Sequence, residues 1–140
     1  MKKYMNAAFC YAILAMIGGV FYREFTKYNA FTGETTLAVV HTHYFLLGMV
    51  MFLVFVLLEK EFAFADAKTP RIFSVYHIGL NVTAIMLWVR GVTEVVGTEL
   101  TTGMDAAISG IAGLGHILLG VSLVMLLLKV KRSVFASETK

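Results

Sequence analysis

The sequence is short of cysteine, proline and charge. Its single cysteine, Cys10, has no partner in the 140-residue chain, which excludes a disulfide-stapled scaffold. Its single proline, Pro70, leaves the long apolar stretches without a helix breaker. Only 15% of the residues are charged and 59% are hydrophobic, against about a quarter charged and about half apolar in soluble domains, so an ordinary soluble enzyme is excluded. Eleven phenylalanines beside one proline exclude a disordered chain. The basic residues flank apolar segments and form no patch interleaved with aromatics, so nucleic acid is not an expected partner.

What the sequence does have is four stretches free of Asp, Glu, Lys and Arg: Tyr4–Tyr22, Thr35–Leu58, Ile72–Val89 and Ala106–Leu128, of 19, 24, 18 and 23 residues. Each is close to the ~20 residues that carry a helix across ~30 Å of hydrocarbon. Residues Gly18 to Tyr22 contain no small-x-small cleavage pattern, so the first stretch reads as a helix and not as a signal peptide. The fold class is therefore all-α: one domain over 1–140, a four-helix transmembrane bundle with helices at about 4–25, 35–60, 70–91 and 105–130. Short connections make an up-down-up-down arrangement the expectation. Asp105 is the expected cap of the fourth helix. Nine cations (Lys2, Lys3, Lys60, Lys68, Arg71, Lys129, Lys131, Arg132 and Lys140) lie on one side of that arrangement, and three (Arg23, Lys27 and Arg90) on the other. The positive-inside rule then places both termini in the cytoplasm.

All four histidines fall inside these spans: His41 and His43 in the second, His77 in the third, His116 in the fourth. An ionisable side chain in hydrocarbon is costly and reads as functional by default. His41 and His43 are two apart, about 200° of helical rotation, so they point to opposite sides and cannot share one ion. That disfavours a compact zinc site with four converging ligands. In a square bundle the second and fourth helices are diagonal and run the same way. Their axes are then separated by more than the ~8–10 Å of direct neighbours. Such a gap suits a flat macrocycle between two axial imidazoles. His43 with His116 is the first choice for such a bis-His haem b, and His77 with His116 the second. Thr42, Thr83, Asn81 and backbone carbonyls are candidate acceptors for the remaining ring nitrogens. Arg23 and Arg90, on the outer side, are candidate partners of the two haem carboxylates, since a guanidinium fork binds carboxylate bidentately. Gly113 and Gly120 share a helix face with His116 and would clear space beside it.

The run Val39-Val40-His41-Thr42-His43-Tyr44-Phe45-Leu46-Leu47-Gly48 resembles a haem-ligating helix of the catalytic subunit of haem–copper oxidases and nitric oxide reductases, where an H-x-H pair serves two haems. Phe21-Tyr22-Arg23-Glu24-Phe25 is similar to the end of that subunit's first helix, and Gly115-His116 with its apolar run to another ligating helix. The resemblance implies His43 and His116 as low-spin haem ligands with Arg23 near the propionates. It does not extend to the adjacent His-His pair of the copper centre, so gas reduction by this chain alone is not implied. Size and motif order resemble an uncharacterised family of small four-helix bacterial membrane proteins, which implies the bacterial cytoplasmic membrane.

Three functions follow as expectations. The first is a haem b-binding protein for electron transfer, gas or redox sensing or haem handling, homo-oligomeric, with a quinone or redox protein as partner. The second is an oligomeric metal-ion or proton-coupled transporter. The third is an accessory membrane subunit.

Overall fold

The computed structural model describes residues 1–138, so Lys140, one of the cations counted above, lies outside the described residues. The chain is all-α. Four helices, α1 (Lys2–Tyr28), α2 (Leu37–Phe62), α3 (Thr69–Val96) and α4 (Thr102–Glu138), are long and apolar enough to cross a membrane. Each runs past the far end of the charge-free stretch that announced it, although α2 begins two residues inside its own. The stretch measures only the part of a helix that tolerates no charge. The intrahelical hydrogen bonds carry on through the flanks, and in α4 through Lys129, Lys131 and Arg132.

The ends have local causes. Pro70 sits in the first turn of α3, where its missing N–H is not needed. The Asp66 carboxylate accepts from the backbone N–H of Lys68 (2.8 Å) and Thr69 (3.0 Å) and so covers that helix start. Gly97 closes α3 in the left-handed region at φ 70°, where a Cβ would be strained. Asp105 does not cap α4. The helix begins earlier, with the Met104 N–H reaching the Thr101 hydroxyl (3.3 Å), and Asp105 stands in the first turn facing Arg90.

Successive helices pack with early residues of one against late residues of the next. Gly18 lies by Val40 and Gly48 by Tyr11; Gly91 lies by Leu37; Gly79 lies by Leu119 and Gly115 by Thr83. These glycines let backbones approach closely, the usual substitute for a hydrophobic driving force in lipid. A Cβ on Gly79 would stand 2.5 Å from the Leu119 nitrogen, and one on Gly48 would stand 2.6 Å from the Tyr11 side chain. Thr36 ties the start of α2 to α3, its N–H donating to Glu94 (2.7 Å) and its hydroxyl to the Leu87 carbonyl (3.0 Å). Inside sits an aromatic core of Tyr4, Tyr11, Phe52, Phe55, Phe73 and Tyr76. Outside, α4 exposes Leu114, Ile117 and Val121, an apolar exterior suited to lipid.

One packing expectation is corrected. The square bundle put α2 and α4 on a diagonal, but α4 packs along α3 and also meets α2. The close Gly79–Leu119 and Gly115–Thr83 approaches draw α4 in and bring α2 and α4 into contact.

Candidate functional site

The local backbone of α2 is not uniform. Its residues Leu37–His43 are α-helical, Tyr44–Val50 form a π-helical segment, and the α-helix resumes at Met51. A π segment leaves a carbonyl without its usual partner, and such segments are frequent at functional sites. Here the Tyr76 hydroxyl of α3 donates to the Leu47 carbonyl within the segment (2.7 Å). The segment begins directly after His43.

His43 and His116 come together. Their ring centroids are 6.0 Å apart and the planes nearly perpendicular, at 86°. Each Nδ1 faces a carbonyl one turn back in its own helix, Val39 for His43 (2.7 Å) and Ala112 for His116 (2.8 Å). A carbonyl only accepts, so each Nδ1 carries a proton, and in the neutral imidazole the Nε2 lone pair is then the free one. This is the state in which imidazole ligates a metal, with the second nitrogen held by an acceptor. Of the acceptors expected from the sequence, backbone carbonyls take the role. Thr42 donates to the same Val39 carbonyl (2.7 Å), Thr83 lies buried against Gly115, and Asn81 is engaged elsewhere.

Two imidazoles on opposite sides of one metal, each nitrogen about 2 Å from it, have centroids about 6 Å apart. The observed separation fits that geometry and also an edge-on ring contact, which spans about 4.5–7 Å. The surroundings weigh on the same question. A Cβ on Gly113 or Gly120 would meet no atom within 4 Å, so the His116 face of α4 is open beside the ring. The glycines of α4 thus divide: Gly115 is a packing residue, while Gly113 and Gly120 leave space. Arg90 of α3 reaches this face. Its guanidinium binds Ser109 (2.7 Å) and the Asp105 carboxylate (2.8 Å), and Ser109 lies two turns before His116. Arg23 is elsewhere, exposed at the end of α1 with Glu24 at 3.7 Å.

The other two histidines are not part of this pair. His77 stacks with Phe52 (4.8 Å) and Tyr11 (5.6 Å), whose rings also meet each other at 5.7 Å. The Tyr11 hydroxyl donates to His77 Nδ1 (2.6 Å) and accepts from Asn81 (3.1 Å), and Asn81 accepts from Tyr44 (3.1 Å). His41 faces α1, near Gly19 and 6.5 Å from the Tyr22 ring, with its Nδ1 buried and without a hydrogen bond. The opposite-side expectation for His41 and His43 holds. Among the described residues, no group of three or more His, Cys, Asp or Glu side chains converges as a metal cluster.

Sequence reasoning missed Tyr11, Ser109 and the π segment. Tyr11 and Ser109 carried a signal, being polar side chains in or beside an apolar span at helical spacing from a partner. The π segment carried none, because its apolar residues read as ordinary helix.

Residues 1–133 match the model of a protein family described as "Protein of unknown function (DUF2871)". No curated protein and no solved structure matches the chain.

Proposed function

Since the chain belongs to this family of unknown function, we propose its role from its own residues: an integral membrane protein that binds haem b through His43 and His116. One observation carries the reading. Two imidazoles from different helices face each other at 6.0 Å, each with Nδ1 held by its own backbone and Nε2 unoccupied by a hydrogen bond. The open face at Gly113 and Gly120 gives the macrocycle room, and Arg90 offers a guanidinium to its carboxylates. His43 and His116 would hold the group from two helices, and the bound group would supply one-electron transfer. The protein's part is to fix the tautomer and orientation of both rings and to exclude water with lipid-facing helices. A quinone or a redox protein would exchange the electron. The finer topology belongs to the same proposal: up-down-up-down, both termini cytoplasmic, in the bacterial cytoplasmic membrane.

The test is the oxidised and the reduced visible spectrum of detergent-purified protein expressed with haem supplied. A sharp Soret band with split alpha and beta bands on reduction, absent from His43→Ala and from His116→Ala, is the expected result. A featureless spectrum at full haem supply overturns the reading. The same open glycine face of α4 favours one alternative, a docking surface for a helix of a second copy or of a larger complex. In that case Gly113→Leu changes the oligomeric state and no haem is bound.

A further inference from the structure

A second site lies at the other end of α3 and α4. Lys68 takes the cap position at the start of α3 and Arg71 lies in its first turn, and the last turns of α4 carry Lys129 and Arg132. All four line one cavity of about 400 Å³. Its remaining wall is apolar: Ile72, Met125 and Leu128. The arrangement follows from helical spacing, because Met125, Leu128 or Lys129, and Arg132 recur at i, i+3/i+4 and i+7. The charges are not balanced. Lys129 is mostly covered and bridges to Asp66 at 2.5 Å. Asp66 in turn spends its other oxygen on the start of α3. It is therefore consumed by one cation and by the helix start, and the cavity keeps an excess of positive charge.

We propose that this cavity binds the headgroup of an anionic glycerophospholipid, with its acyl chains along Met125 and Leu128. The two halves of the wall match the two halves of such a molecule. Cations meet the phosphodiester, and the apolar strip continues onto the lipid-facing side of α4. Basic pockets between transmembrane helices on the positively charged side are suited to such headgroups. A free phosphate would use the cations but not the strip. The proposal depends on the helices spanning a membrane and not on haem.

The experiment uses the full chain in neutral detergent, without added haem. Phosphatidylglycerol or phosphatidylcholine with the same acyl chains is added, and bound lipid is counted by native mass spectrometry alongside thermal unfolding. Phosphatidylglycerol should raise the melting temperature and be retained in preference to phosphatidylcholine. The preference should fall about fivefold for each cation removed in Arg71→Gln and Arg132→Gln. Both side chains are exposed, so the variants should unfold as the parent does in detergent alone. Lys27→Gln, which removes a charge at the far end of α1, should leave the preference intact. Equal retention of the two lipids, or an unchanged preference in both arginine variants, overturns the proposal. So does an equal shift produced by inorganic phosphate alone, which would identify a soluble anion as the ligand.

Discussion

His77 and the His43–His116 pair are made of the same residue in the same apolar bundle, yet their surroundings differ in kind. Around His77 the polar groups close on one another: Tyr44 donates to Asn81, Asn81 to Tyr11, and Tyr11 to His77 Nδ1. The Phe52 and Tyr11 rings stack beside the imidazole and meet each other. At the pair, each ring satisfies one nitrogen within its own helix and leaves the other without a hydrogen bond, and α4 has open space at Gly113 and Gly120. The bonded nitrogen of His77 is held by a side chain of another helix and so ties α3 to α1. The bonded nitrogens of His43 and His116 are held by their own helices, and the two rings meet each other. The lesson is to ask which element holds an intramembrane histidine before giving it a function.

The contrast breaks most directly in the spectrum. His43→Ala and His116→Ala should each lose essentially all haem absorbance at equal protein. His77→Gln should keep it with an unchanged band position. Haem retained by His43→Ala and lost by His77→Gln would invert the assignment.

Next in size is the division among glycines, read by reversible unfolding. Gly79→Ala drives a methyl against the backbone of α4 and should cost about 1–3 kcal/mol or more. Gly113→Ala meets open space and should stay within about 0.5 kcal/mol of the parent. Equal losses at the two positions would mean that the open face is already filled by another helix.

Tyr11→Phe should follow, at about 1–3 kcal/mol, because it leaves His77 Nδ1 and one Asn81 donor hydrogen unpaired. Haem absorbance should be untouched. A variant that kept full stability would show that the network around His77 contributes little.

The smallest expected effect lies in the loop before α3. The Lys129 ammonium, then the Lys68 N–H and the Thr69 hydroxyl, hold the Asp66 carboxyl well below the usual carboxylate range. With the folded-state value depressed, its contribution is fully present above the ordinary value near pH 4 and is lost as pH falls through the lower folded value. Asp66→Asn should therefore lower stability at neutral pH slightly and flatten the acid limb below about pH 4. An acid limb that is the same in both proteins would show that the ion pair adds nothing.

Much of this was legible in the residues. The four charge-free stretches found all four helices, because length and the absence of charge are what hydrocarbon demands. The opposite facing of His41 and His43 followed from helical rotation alone. Pro70 at a helix start was legible too, since it fixes only a local backbone. Helix ends were less so, because charge marks the edge of the hydrocarbon and not the end of the hydrogen bonding. Asp105 is not the cap for that reason: Thr101, four residues nearer the loop, already serves the first turn.

The sequence by itself determined the number of helices, their apolar exteriors and which residues share a helical face, since these depend on composition and on a fixed rotation per residue. Which helices touch, which histidines meet and which glycines pack were decided only by the tertiary structure. Each of those depends on a second helix brought close by residues far away in the chain. The contact of α2 with α4 follows from how Gly79 and Gly115 seat α4 against α3. No spacing along one helix contains that information.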